Sequence, residues 1–439
     1  MLFALVAGLT GGGASAQQAA VSDTQALGLA EALRVIAGHS EAAIAAGLDL
    51  DAAREGTKRL EALYRPSVSL TGGYMARDNP IVGLLGAFQA SETERDFFSG
   101  ELDATYLLWD GGRRSSAVEA SRRGEDATSQ RGSAEVQAAV LDGLGTYLRA
   151  LAFSAQRDVV QQRITSLQDH LRIAQDLYDH GVVARNDLLE TEVRLRLVQD
   201  QASQVDNGEA VAKQTLDRLM GRAPSEPVAL PAGLAPPPPL PSTIAELKQR
   251  AVAANPQLQT LRARQAAEEA GVAARKAEDY PSALAQASHT YQQNRYLLYP
   301  NANFLFLGVS WQAFDGGARK AAVREAEFAA AKTREQIGDL QRTLEIQLDQ
   351  AYRDFEQARR EAATAETNIG AAEENLRIEE DQYKAGLART ADVLDAESVL
   401  AESRFALVNR NYDAFLKQGT ILSTAGEDLP AFFAAVKEQ

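Results

Sequence analysis

The chain has 439 residues, a formal net charge of -15, no cysteine and only 6% aromatic residues. The lack of cysteine excludes a disulfide framework, a thiol nucleophile, a thiolate metal site and a lipidated cysteine. The acidic balance weighs against nucleic acid as a partner, because phosphate is repelled.

Residues 1–16 read as a secretory signal. Leu2 to Leu9 is a short apolar run, and Ala14-Ser15-Ala16 is a small-residue cleavage pattern before Gln17, although the usual positive residues ahead of the run are missing. No later run is apolar and long enough for a membrane-spanning helix, so the expected destination is the periplasm, the exterior or a membrane β-barrel.

Residues 25–64 are predicted as one helix, with Leu29, Leu33, Ile36 and Ala43 on one side and Pro66 as its stop. The period then changes. Val68, Leu70, Gly72 and Tyr74 alternate with Ser67, Ser69, Thr71 and Gly73, a strand pattern. Residues 76–96, with Asn79-Pro80 and several glycines, are predicted as loop. A second strand runs from Phe97 to Trp109, placing Leu102, Ala104, Tyr106 and Leu108 on one face and Glu101, Asp103 and Thr105 on the other.

Asp110-Gly111-Gly112 ends that strand and opens a helix: glycine permits the reversal and the aspartate caps the new N-terminus. A phosphate-binding loop would need the P-loop lysine or the G-x-G-x-x-G spacing, and both are absent. Val160, Ile164, Leu167, Leu171, Ala174 and Tyr178 then step by four and three, as in a coiled coil. Gly112 to Tyr178 is on the order of 100 Å at the helical rise. Gly181 marks a turn, after which helix returns to Gly221.

Residues 222–241 hold Pro224, Pro227, Pro231, the run Pro236 to Pro239, and Pro241, and are predicted as an extended linker. The second half then repeats the first. Ala283, Ala285, Ala287 and Tyr291 alternate with polar residues, as do Leu305, Leu307, Val309 and Trp311; Asp315-Gly316-Gly317 opens a helix with heptad-like positions from Ile337 to Leu376, and Gly386 marks its turn. Ala30-Glu31 recurs as Ala245-Glu246 and Pro66-Ser67 as Pro281-Ser282 at one offset. Trp109-Asp110-Gly111-Gly112 recurs as Phe314-Asp315-Gly316-Gly317, Asp187 as Asp392 and Gly221 as Gly426 at a second offset, ten residues shorter. The units are therefore 17–221 and 242–426, followed by a tail, 427–439. The length difference falls between the first two strands, where a loop tip absorbs it.

Strands of about ten residues with one apolar face match a bilayer when tilted. A soluble sheet would show the same alternation. Four strands are too few to close a membrane barrel, whose minimum is about eight, so membrane-spanning strands require several chains to share one barrel.

His39, His170, His180 and His289 stand singly, without a metal-ligand spacing, and no nucleophile elbow or Walker sequence occurs. No enzyme, cofactor or metal centre is predicted. An exported structural coiled coil without channel activity is the alternative; it accounts for the heptads but not for the strands or the D-G-G turns.

Helix, strand, loop, strand, D-G-G turn and long helical hairpin, all present twice, resemble the TolC-like outer-membrane efflux proteins. The hairpin turns carry the resemblance too, from Leu177 to Gly181 with Asp187-Leu188-Leu189, and from Tyr383 to Gly386 with Asp392-Val393-Leu394-Asp395-Ala396. The resemblance implies a mixed fold, a long α-helical tunnel carrying four transmembrane strands per chain. Three chains would close a twelve-stranded barrel among outer-membrane lipids. It implies a passive exit duct of a tripartite efflux or type I secretion system, with a periplasmic adaptor and an inner-membrane pump as partners. The pump chooses the substrate.

The resemblance places a gate at the hairpin turns, at the periplasmic entrance. Asp392 and Asp395 match the inward aspartates of its constriction, which under threefold symmetry form a ring that favours cations and raises the pKa of some members. Asp187 and Tyr383 match positions that tie neighbouring hairpins in the closed state. The family's arginine in that tie falls at Ala388, and Arg389 follows one residue later, about 100° around the helix. The turns at Arg185-Asn186 and Arg389-Thr390 are where adaptor hairpins would dock.

Overall fold

The computed structural model describes residues 26–436 apart from 86–87, 92–93 and 224–227. The predicted signal over 1–16, and Pro224 and Pro227 of the linker, lie outside the described residues.

The chain begins with α1 (Leu29–His39) and α2 (Glu41–Glu61), followed by a single 3-10 turn over Ala62–Tyr64. The single helix predicted over 25–64 is thus broken. Ser40 takes an extended backbone, and its hydroxyl accepts from the Ala43 N–H at 3.2 Å, so it starts a new helix instead of continuing the old one.

Strand β1 (Ser67–Ala76) follows, then a short hairpin of β2 (Val82–Leu85) and β3 (Phe88–Ser91), and β4 (Asp96–Trp109). The hairpin corrects the prediction of loop over 76–96. Its strands are four residues each and too short for alternation to stand out among the glycines. Beyond β4 run α3 (Arg113–Asp179) and α4 (Arg185–Leu219).

The second half repeats these elements as α5 (Ile244–Ala254), α6 (Pro256–Ala277), β5 (Ser282–Gln292), β6 (Asn301–Ser310), α7 (Ala318–Lys384) and α8 (Thr390–Thr424); α9 (Leu429–Phe433) ends the described chain. Helices α3 and α7 both have 67 residues, and α4 and α8 both have 35. At the junction of α5 and α6, Asn255 does what Ser40 does, accepting from the Leu258 N–H at 3.1 Å ahead of Pro256. Trp311, predicted in a strand, lies just past β6.

The four long strands form one antiparallel sheet in the order β1-β4-β5-β6. Its register puts Val68, Ala104, Ala287 and Leu305 in one row across the sheet, and Ser69, Asp103, Ser288 and Phe304 in the next. Since side chains alternate between faces, one face is apolar and the other polar. Each face has exceptions: Phe304 and Phe306 stack on each other within the polar face, and His289 and Asn303, with Nδ1 and Oδ1 2.8 Å apart, lie on the apolar one.

Most of the predicted heptad positions are buried, while Leu171, Ile337, Leu340, Ala351 and Ile369 are half-buried and Tyr178 is exposed. Val160, Ile164, Leu167 and Ala174 of α3 are buried, as are Leu344, Leu348, Phe355, Ala358, Ala362, Ala365, Ala372 and Leu376 of α7. Alanine along this seam brings the helices close together. Two wider cores flank it. One gathers Leu29, Leu33, Ile36, Tyr147, Leu216, Phe415 and Phe433, and the other Leu247, Leu348, Phe355 and Ile421. Residues 228–241 lie against these cores rather than free in solvent: Val228 is buried, Gln418 Nε2 donates to Pro238 O, and Leu27 N donates to Ala229 O.

The two halves meet at three levels. Strand β4 pairs with β5, α6 packs along α3 as well as on α7, and α3 packs on α8. The complementary surfaces lie open. Strands β1 and β6 are the sheet edges, α2 exposes Ile44 and Leu48, and α4 exposes Leu189, Val193, Leu197 and Val211.

Candidate functional site

At the two strand-to-helix corners each glycine pair has positive φ, 63° and 87° at Gly111 and Gly112 and 68° and 92° at Gly316 and Gly317. This left-handed backbone reverses the chain and is nearly free of strain only for glycine. The aspartates close the first helical turn. Asp110 Oδ2 accepts from the Arg114 N–H at 3.0 Å and from Arg114 Nε at 2.9 Å. Arg114 Nη1 then donates to Leu63 O at 3.1 Å, and its guanidinium lies over the Tyr64 ring.

The second corner is built alike. Asp315 accepts from the N–H groups of Gly317 and Arg319, both at 2.9 Å, and from Arg319 Nε at 2.8 Å, while Arg319 Nη1 reaches Glu278 O. The Arg319 side chain, then these N–H groups, hold the Asp315 carboxyl down at about 2. Arg114 and Arg319 were not singled out from the sequence. Their signal is present there, two residues after each glycine pair and in the same repeat register. These knots fasten the sheet to the helices, tying each long helix to the end of the preceding short one.

At the opposite end, Gly181 and Gly386 have φ of 74° and 72° and end α3 and α7 with matched turns. Val182 N donates to Leu177 O and Leu387 N to Gln382 O, both at 2.9 Å. The next helices start with matched caps: Asp187 accepts from Ala184 N at 3.2 Å, and Asp392 from Arg389 N at 3.0 Å. Arg389 adds two side-chain bonds to Asp392, the shorter at 2.8 Å. Its side chain therefore stays with the first turn of α8 and does not reach Tyr383 or Asp187. This pairing, through the Arg389 side chain first and its N–H second, lowers the Asp392 pKa. The resemblance implied a rise for some members of the ring. Asp395 is exposed, and its charge acts on Arg389.

Tyr383 is buried where the two hairpins meet. Thr390 donates its hydroxyl to the Tyr383 oxygen at 3.2 Å, and His170 of α3 lies against the ring. Burial raises the phenol's pKa, the Thr390 bond opposes this, and the Asp187 charge adds to the rise. The tip thus brings Tyr383, Thr390 and Asp187 together and keeps Arg389 with Asp392. Leu188, Ala372, Leu376, Val393, Ala396 and Leu400 form the apolar cluster beneath them. In the sequence His170 is one of four isolated histidines; its contact with Tyr383 joins distant parts of the chain.

No helix among the described residues is long and apolar enough to cross a membrane, and no acidic or histidine cluster there is arranged to hold a metal ion.

The profile of the family described as "Outer membrane efflux protein" matches residues 38–222 and 247–426, the two repeats and not the linker between them. The alkaline protease secretion protein AprF of Pseudomonas aeruginosa is 25% identical over 281 residues, covering 62% of this chain and 57% of that protein. The chain thus spans little more than half the length of this relative. The outer membrane protein VceC of Vibrio cholerae superposes with a TM-score of 0.73 at 18% identity, over 91% of this chain and 96% of VceC. The open state of the Neisseria gonorrhoeae MtrE outer membrane channel also gives 0.73, at 16% identity, over 91% of this chain and 89% of MtrE.

Proposed function

Since the chain belongs to the outer membrane efflux protein family, we propose that it assembles as a homotrimer into a passive exit duct, a barrel in the outer membrane continued by a helical tunnel in the periplasm. One observation carries this reading. Each kind of contact between the two repeats is made once inside the chain and left open once at its flanks. Edge strand β6 awaits a β1, α2 awaits an α7, and α4 awaits the partner that α8 finds in α3. A ring of identical chains satisfies all three at once, and three chains of four strands exceed the minimum for closure.

The sheet supports the membrane placement. Its apolar face suits lipid and its polar face a water-filled lumen. Exposed aromatics mark both ends, Tyr64, Trp109, Trp311 and Phe314 beside the helices and Tyr74, Tyr296 and Tyr299 at the far side. A structural coiled coil has no use for such a two-faced sheet. Membership of a family of channel proteins supports passive conduction rather than an enzymatic activity.

In this reading the hairpin turns form the periplasmic gate and the docking place for an adaptor that couples the duct to an inner-membrane pump. Asp187, Tyr383, Arg389, Asp392 and Asp395 set the gate. AprF is named for protease secretion and the family for efflux, so either cargo fits the duct. Residues 1–16 serve as signal, 17–221 and 242–426 as the repeated walls, 222–241 as the connection and 427–439 as the tail. Cell fractionation combined with single-channel recording tests the whole: outer-membrane recovery and discrete conductance support it, and a soluble product without conductance refutes it.

A further inference from the structure

The two hairpins of one chain meet near their tips through an aromatic pair. His170 of α3 and Tyr383 of α7 have ring centroids 4.7 Å apart, tilted by 47°. The imidazole is 6% exposed, and its Nε2 has no hydrogen-bond partner among the described residues. A neutral imidazole fits this place; an imidazolium needs an acceptor for its second N–H, and Nε2 has none among the described residues.

We propose that His170 is a proton-operated latch of the periplasmic entrance: neutral, it holds the first hairpin of each chain on the second; protonated, it is drawn to water and the joint parts. The proposal rests on the reading of the chain as a gated duct and specifies what would work the gate.

The charges on the surrounding elements are committed elsewhere. On α3, Asp169 pairs with Arg172. On α7, Glu374 and Asp381 both pair with Arg377, and Glu380 approaches Lys384. On α4, Asp187 caps its own helix, and on α8, Asp392 pairs with Arg389 and Glu397 with Arg163. None of them sets the imidazole's titration. Burial alone lowers it, from 6.5 to about 4. A histidine depressed in the latched state and ordinary in the parted state favours the latch at high pH. That preference is complete above about 6.5 and is lost progressively as pH falls toward 4. Going from about pH 7 to pH 5 therefore multiplies the parted-to-latched ratio of each joint by about 20-fold.

The repeat supplies an internal control. The position matching His170 in the second repeat is Asn375, and the one matching Tyr383 in the first is Tyr178; both are exposed in the single chain. Asparagine does not titrate in this range. The joints between chains lack the latch, and acid acts on the joints within each chain.

The test uses the full-length protein in planar bilayers and, separately, a pair of spin labels at the hairpin tips. The chain has no native cysteine, so Val182→Cys and Leu387→Cys place the labels. Val182 Cγ1 would stand 3.7 Å from a Cβ at Gly386, so the two tips adjoin. Lowering pH from 7.5 to 5 is expected to raise open probability steeply and lengthen the tip distance. Both responses should vanish in His170→Phe, which keeps the ring contact, and in His170→Gln. An unchanged acid response in both variants overturns the latch, and so does a pH-independent tip distance in the parent protein. Absence of conductance at every pH overturns the duct reading instead, and the tip distances then still decide whether the joint parts.

Discussion

Gly111 touches Tyr280: a Cβ added at Gly111 would collide with the Cβ of Tyr280, while the matching Gly316 has open space around it. Both have positive φ. Gly316→Ala should therefore cost only the left-handed backbone, about 1 kcal/mol. Gly111→Ala adds a collision between two repeats inside one chain, and about 3 kcal/mol or more is expected. Thermal unfolding of the two variants checks this; a loss at Gly111 no larger than the backbone cost would mean that the first corner does not pack as described.

Arg163 Nε grips both carboxylate oxygens of Glu397, at 3.0 and 3.1 Å, across the joint between the hairpins, and Nη2 adds a bond to Ser398. Both partners are largely buried. Arg163→Met leaves a buried, unpaired carboxylate and should destabilise by about 3 kcal/mol. Combining it with Glu397→Met should recover most of that loss, which a double-mutant cycle on the thermal midpoint would read. Purely additive losses would show that the pair is not coupled.

The second corner makes a prediction in pH. Asp315 titrates near 2 in the folded chain, against an ordinary value of 3.8. A depressed carboxyl contributes stability that is fully present above its unfolded value and is lost as pH falls through the folded one. Between about pH 4 and 2 the parent protein should lose that contribution, while Asp315→Asn starts without it and shows a shallower acid limb. Melting temperatures across this window decide; parallel curves would refute the role of Asp315.

At the proposed gate, Arg389 neutralises Asp392 within the same turn, whereas Asp395 stands exposed. Asp395→Ala should therefore reduce cation selectivity more than Asp392→Ala, and Arg389→Ala should increase it. Reversal potentials in a salt gradient measure this order. Equal effects of the two aspartates would place Asp392 in the pathway as a free charge.

Much of this was legible in the chain because long helices impose period. The heptads of α3 and α7, the D-G-G corners and the hairpin glycines repeat in register, since a tunnel wall cannot gain a residue without losing its neighbours. Other features depend on contacts between distant segments. The Ser40 break is one side chain competing with a continuing helix, and the β2–β3 hairpin is too short to carry a period. Arg114 gains its meaning from Leu63 O, and His170 from Tyr383. Local spacing reveals neither partner.

The proposed duct and its gate rest on closure of a ring by identical chains. The mass of the purified protein in detergent, corrected for bound detergent by light scattering, addresses it directly. A single species of three chains is expected. A stable monomer, with β1, β6 and the α4 stripe left uncovered, would contradict it.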